Sequence, residues 1–314
     1  MKTIYGTNEV LTDTARIAAL GIFDGVHRGH QRILGEVITW ARAEGAEATV
    51  ITFERHPQAL LGKTAPPCIT SLEHRLVLFA RLGLDLCVVL PFDENLARLE
   101  PDEFARKILH QYLHTRGIVM GFDQHFGRGG RGDGAYMRRL GEVLGFSVRT
   151  LEPVMARGQP ISSTALRQAI QRCDLAYATE ILGRPPSLLG TVVRGGGRGR
   201  ALGFPTANLN LHHEVCPPDG VYLTRALVRD TWYPSLTHIG KRPTYLHEDR
   251  AFAQTHTVET YLHGFSGELY GEDIEVQLLE RIRDVLALPR LEDLRLQIVR
   301  DVEHMRRAIT AGRL

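Results

Sequence analysis

A chain of 314 residues is long enough for two cores, and its 43% hydrophobic and 24% charged residues exclude a disordered or fibrous protein. A formal net charge of +2 excludes a globally driven attraction to nucleic acid or to an anionic membrane. No run of eighteen apolar residues and no apolar signal core near Met1 is found. The four cysteines (Cys68, Cys87, Cys173, Cys216) lack metal-like or disulfide-dense spacing. A cytoplasmic protein with free thiols and no membrane partner is expected.

In chain order, Arg16–Phe23 reads as a buried strand and Gln31–Ala43 as a helix with an apolar stripe. Ala48–Phe53 is the next strand, Ser71–Leu82 a helix, Asp85–Leu90 a strand, and Pro101–Leu113 a helix with Pro in its first turn. Strand Gly117–Gly121, helix Gly134–Leu144, strand Ser147–Leu151 and helix Ser162–Gln171 follow. This alternation predicts a Rossmann-like α/β domain, a parallel sheet with helices on both faces and a ligand site beyond the strand carboxyl ends.

The pattern changes near Leu182–Pro186, and the boundary is placed so that residues 1–183 and 184–314 form two domains. Downstream, Leu188–Arg194, Val221–Val228, Thr231–Ile239, Thr257–Leu262 and Asp273–Ile282 are short strands separated by turns. Strand follows strand, which predicts a small antiparallel β-barrel. The amphipathic run Leu291–Ile309 is a terminal helix that plugs or covers it.

Two places carry chemistry. The loop Gly25-Val26-His27-Arg28-Gly29-His30 lies between a buried strand and an amphipathic helix, where backbone N–H groups and the positive helix end favour phosphate. Gly29 leaves the backbone open to close approach, and His27 and His30 can face a triphosphate from one side. Ile161–Arg167 opens a later helix with Ser163 and Thr164 and sets Arg167 one turn in, a second anion grip; read alone, it is an ordinary Ser cap.

In the second half, Gly195, Gly197 and Arg200 belong to an Arg/Gly loop running into Pro205-Thr206-Ala207-Asn208. Its glycines can curl backbone N–H groups around phosphates. Thr206 and Asn208, two apart, share a side if extended, and their neutral oxygens suit Mg²⁺ carried by a nucleotide. Taken alone, the loop could be an RNA-binding tract, the Pro205–Asn208 segment a turn, and Glu259 a solvated strand carboxylate.

Gly21-x-Phe23-Asp24-Gly25-Val26-His27-x-Gly29-His30, Thr52–Pro57, Gly121-Phe122-Asp123 with Phe126-Gly127 and Gly132-Asp133, and Ile161-Ser162-Ser163-Thr164-x-x-Arg167 resemble the FMN adenylyltransferase module of bacterial bifunctional riboflavin kinase/FAD synthetases. Gly220-Val221-Tyr222, Ile239–Thr244, Val258-Glu259-Thr260 and Leu269-Tyr270-Gly271 are similar to the riboflavin kinase domain of that family. The resemblance spans essentially the whole chain. It implies that riboflavin is phosphorylated to FMN by the C-terminal domain and FMN adenylylated to FAD by the N-terminal one, with ATP as co-substrate, Mg²⁺ as metal and small molecules as the partners.

By that resemblance His27 and His30 hold ATP phosphates, Ser163, Thr164 and Arg167 close on pyrophosphate, Gly21, Phe23, Asp24 and Asp123 help bind nucleotide or flavin, and Glu259 is the kinase base. Four places depart from the family pattern: Arg55 where Pro is usual, Gln124-His125, His238 before Ile239-Gly240, and His263-Gly264. A chain with one competent domain (the kinase), or a flavin-binding regulator, is the alternative, and a homo-oligomer stays open.

Overall fold

The computed structural model describes residues 1–9, 11–54, 66–211, 214–241, 256–287 and 290–314. The chain forms two compact units: Met1–Pro66 with Leu72–Ser163, and Pro67–Ser71 with Thr164–Leu314. The helices Ser163–Gln171 and Leu175–Leu182 thus group almost entirely with the second unit.

The first unit is built on six strands: β1 (Lys2–Tyr5), β2 (Arg16–Leu20), β3 (Glu47–Phe53), β4 (Leu86–Leu90), β5 (Thr115–Gly121) and β6 (Ser147–Leu151). They pair in the order β1-β4-β3-β2-β5-β6, every pair parallel. β2 and β4 are buried at every position, as expected of strands covered on both faces. One face packs Ala18, Leu20, Val88 and Ile118 against Phe104, Leu109, Met137 and Leu140. The other packs Ile17, Ala19, Val50 and Val119 against Leu34, Val37 and Trp40 of the helix Arg28–Glu44 and Leu78 and Phe79 of Leu72–Leu82. Each of these larger side chains contributes about 1.5–3 kcal/mol by leaving water. Gly117 is required beneath Trp40, whose ring occupies the space a Cβ would take.

The strand order reverses at β2, whose neighbours are β3 and β5. In a sheet of this type ligands bind at that reversal, beyond the carboxyl ends. Gln124 spans the gap there: its Nε2 donates to the Leu20 carbonyl at 2.6 Å and its Oε1 accepts from the Gly121 N–H at 3.2 Å.

Several boundaries differ from the sequence reading. β2 stops at Leu20 because Phe23, Gly25 and Val26 take positive φ values of 55°, 80° and 43°. The first helix begins at Arg28, three residues early, because His27 acts as its N-cap. The helix from Pro101 widens into π geometry over Ala105–Tyr112, and Ala105, Leu109 and Leu113 are buried. The strand Lys2–Tyr5 and the helix Leu175–Leu182 are additional. A two-stranded hairpin, β7 (Met155–Ala156) with β8 (Gln159–Pro160), precedes the helix Ser163–Gln171.

The second unit is a closed barrel of β9 (Ser187–Val193), β10 (Thr206–Leu211), β11 (Gly220–Val228), β12 (Thr231–Lys241), β13 (His256–Leu262) and β14 (Asp273–Arg283), ordered β10-β13-β12-β11-β14-β9 and antiparallel throughout. β10 was not among the expected strands; it includes Thr206 and Asn208, and its extended backbone rules out the turn that the Pro205–Asn208 segment suggests when taken alone. Inside are Val192, Leu209, Tyr222, Ala226, Ile239, Val258, Val276 and Leu278. The terminal helix Leu291–Thr310 covers the outer wall instead of plugging the barrel, packing Val302, Met305 and Ala308 on Leu223 and Leu236. Arg283 of β14 grips Asp301 of that helix at 2.7–3.1 Å.

A strap from far up the chain belongs to this unit. Cys68 forms a parallel bridge with Glu214, the Val215 N–H donates to the Cys68 carbonyl, and the buried Glu214 carboxylate accepts from the Ser71 and Leu189 N–H groups. No helix of the described residues is long and apolar enough to cross a membrane.

Candidate active sites

In the first unit, the sequence after β2 makes a tight loop because it must reverse onto a helix within seven residues. Phe23 and Val26 at positive φ are strained, the β-branched Val26 most of all, and such strain persists only where the surroundings impose it. Gly21 permits the fold-back: a Cβ there would meet the Phe23 ring at 3.1 Å. Arg75 imposes much of the shape, donating to the Ile22 carbonyl at 2.5 Å, the Thr52 hydroxyl at 2.9 Å and the Phe53 carbonyl at 3.3 Å. Ser163 Oγ donates to the Asp24 carbonyl at 3.0 Å, and Asp24 is buried.

His27 Nδ1 accepts the His30 N–H at 3.3 Å, so a neutral His27 carries its proton on Nε2. The two imidazoles stack at 3.6 Å with a 17° interplanar angle, and Phe23 meets His30 edge-on at 5.2 Å. Gly29 makes room for the stack, since a Cβ would lie 3.2 Å from the His27 ring. His30 Nδ1 is buried with no hydrogen-bond partner among the described residues. Burial, with the charges of His27 and Arg75, holds the His30 pKa well below its ordinary value. At neutral pH His30 is therefore an uncharged donor–acceptor. The first turn of this helix holds no acidic residue, so its end favours an anion.

The structure thus brings His27, His30, Gly21, Phe23, Asp24, Gly29 and Ser163 together. Asp123 is exposed at the end of β5, and His125 is exposed beyond it. Thr164 and Arg167 fall in the second unit, where Arg167 Nε donates to the Pro67 carbonyl at 2.8 Å. Sequence reasoning missed Arg75 and Gln124 as shapers of the loop; neither sits in a spacing that signals it. Arg55–Pro57 lie outside the described residues.

In the barrel, register assembles the second site. Asn208 of β10 is the direct partner of Glu259 of β13, and Thr206 the partner of Tyr261. All four therefore share one face. Tyr261 lies on the outer wall with Leu236 and the terminal helix, so this face is the outer one. The glycine loop lies over it: a Cβ on Gly195 would overlap the Asn208 carboxamide, and one on Gly199 would come 3.1 Å from Thr206 Oγ1. Gly197 takes φ +69° with open space around it, while Arg200 and Pro205 are exposed. Phe204 packs edge-on against Tyr261 at 5.7 Å.

Neutral oxygens, a carboxylate and a glycine-rich backbone thus meet on one wall. Among the described residues no cluster of three His, Cys, Asp or Glu forms a metal cage, so a metal held by Thr206 and Asn208 would take other ligands from phosphate. His238, on the same face, neighbours Glu259, and His263 Nδ1 is buried without a partner among the described residues. Arg242–Thr244 lie outside the described residues.

Comparison with known proteins adds to this geometry. The FAD synthetase family matches residues 10–165 and the riboflavin kinase family residues 182–309. The chain is 32% identical to the bifunctional riboflavin kinase/FMN adenylyltransferase of Haemophilus influenzae over 305 residues, 96% of each chain. It is 34% identical to the protein of that name from Bacillus subtilis over 313 residues, again 96% of each. Among solved structures, a Streptococcus pneumoniae chain described as a macrolide-efflux protein superimposes with a TM-score of 0.82 at 29% identity, covering 97% of this chain and 98% of that one.

Proposed function

From the premise that the chain belongs to the bifunctional riboflavin kinase/FMN adenylyltransferase family, we propose that it makes FAD from riboflavin in two ATP-dependent steps at two separate sites. Residues 184–314 phosphorylate riboflavin to FMN, releasing ADP. Residues 1–183 join FMN to the adenylyl group of a second ATP, releasing pyrophosphate. The observation that most supports this reading is the pairing of Asn208 with Glu259 beneath the glycine loop, in a unit separate from the His27–His30 stack.

In the kinase step the terminal ribityl hydroxyl attacks the γ-phosphorus of ATP as the bond to ADP breaks, and Glu259 accepts the hydroxyl proton. Gly195, Gly197, Arg200 and Pro205 shape the phosphate loop. Thr206 and Asn208 offer the oxygens for Mg²⁺, which neutralises charge on the phosphates when bound.

In the adenylyl step an FMN phosphate oxygen attacks the α-phosphorus. His27 donates from Nε2 and His30 as a neutral imidazole, next to the open helix end, stabilising charge as pyrophosphate departs. Gly21, Phe23, Asp24, Gly29 and Asp123 shape this pocket, and Ser163, held on the Asp24 carbonyl, binds the leaving group. The partners are the small molecules riboflavin, FMN and ATP. We place the enzyme in the cytoplasm, in keeping with four cysteines that lack disulfide-dense spacing.

Incubating the protein with riboflavin, ATP and Mg²⁺ and separating the flavins should yield FMN first and FAD after it. FMN without FAD would leave a single competent site, and neither product would overturn the reading.

A further inference from the structure

One row of residues crosses the outer wall of the barrel at the level of Glu259. Val193, Asn208, Glu259, His238 and Val221 are successive register partners on β9, β10, β13, β12 and β11. Directly opposed residues hold their Cβ atoms about 5 Å apart. His238 is thus the immediate neighbour of Glu259, while Asn208 lies on the far side of that carboxylate, two strands away from His238.

The imidazole lies along its own strand, over Gly240. A methyl group at Gly240 would come 2.9 Å from His238 Cε1 and 3.2 Å from Nε2. The absent side chain two residues on is what lets the ring lie down along its own strand.

Three charged groups act on this ring among the described residues. Glu259 faces it from β13, Arg283 from β14 and Asp219 from the turn before β11. Arg283 is held in place by Asp301 of the terminal helix. A histidine beside a carboxylate ordinarily gains proton affinity. Here burial is the larger influence, Arg283 acts in the same direction, and the His238 pKa falls below its ordinary value despite Glu259. At neutral pH the ring is uncharged, and it gains a proton only at pH below that of an ordinary histidine.

We propose that His238 is a positioning residue for the kinase reaction: as an uncharged neighbour it leaves the Glu259 carboxylate free to take the ribityl proton, and as a cation it would lock that carboxylate in an ion pair. The proposal rests on Glu259 being the base. A carboxylate paired with a cation loses about 1–3 units of proton affinity, which weakens it as an acceptor. The effect falls on turnover, since the proton moves in the transition state.

The test uses the full chain and four variants, His238→Asn, His238→Gln, His238→Lys and Glu259→Gln. Riboflavin phosphorylation is measured from acid to alkaline pH, with FMN-to-FAD conversion followed in the same preparations. His238→Lys should lower kinase kcat by about tenfold across neutral pH, with the riboflavin KM within about twofold. His238→Asn and His238→Gln should keep kcat near neutral pH within about threefold and retain more activity than the parent in acid, having lost the protonatable ring. FAD formation should be unaffected in all four. Wild-type kcat in His238→Lys, or equal losses in the Asn, Gln and Lys variants, would overturn the positioning role. Full kinase activity in Glu259→Gln would instead overturn the base assignment, and the proposal with it.

Discussion

The two units build their sites in opposite ways. In the first, one run of chain, Gly21–His30, is folded into a strained loop pinned by Arg75 and Ser163, and a helix end supplies the field. In the barrel, the groups come from positions 195, 206, 208, 238 and 259, and only strand register brings them level. A loop site depends on local backbone shape and a register site on the integrity of the whole sheet. Substitutions should therefore act locally in the first and be transmitted through pairing in the second.

The largest test of that contrast removes one member of the histidine stack. His30→Ala should lower FAD formation by about 10²–10³-fold while riboflavin phosphorylation changes little, as a radiolabelled ATP assay would show. Loss of both activities in a folded protein would break the separation. Next, Glu259→Gln should reduce kinase kcat by roughly 10²-fold with riboflavin and ATP binding nearly unchanged, and supplied FMN should still become FAD. Smaller again, Asn208→Ala or Thr206→Ala should raise the kinase KM for Mg·ATP by about tenfold, near 1.4 kcal/mol. Smallest is Gly195→Ala, whose methyl would displace the Asn208 carboxamide; kinase activity should fall about threefold and recover in part at high Mg²⁺. An unaltered Mg²⁺ dependence would detach the glycine loop from Asn208.

How legible each site was follows from the same contrast. The alternation of strands and helices predicts the parallel sheet, and the His27-x-Gly29-His30 spacing predicts the helix-end site, because both are local patterns. The positive φ of Phe23 and Val26 is not local in that sense: it is imposed by Arg75, 53 residues from Ile22, through a hydrogen bond no motif announces. In the barrel, Thr206 and Asn208 read as a same-side pair, but the strand they sit on did not register, since Pro205 and the glycines before it suppress the strand pattern. The alignment of Asn208, Glu259 and His238 depends on two registers, and a slip of one residue in either would send Glu259 to the other face. Composition and spacing carry no information about that choice.

The strap at Pro67–Ser71 bears on how the barrel is made. During synthesis Cys68 and Ser71 emerge more than a hundred residues before Glu214, the carboxylate that fastens them. The barrel therefore closes around a piece of chain that already exists, and its fastening at Glu214 draws on residues made before any of its strands. A fragment of residues 187–314 would contain every strand of the barrel yet lack both the strap at Glu214 and the helices Ser163–Gln171 and Leu175–Leu182, whose Leu175 is part of the barrel core. The hydrogen bond from the Ser71 N–H to the Glu214 carboxylate would be lost, a change of about 1.5 kcal/mol. Such a fragment should phosphorylate riboflavin but melt several degrees earlier than the full chain's barrel, and a Glu214→Gln change should narrow that gap by weakening the full chain more than the fragment.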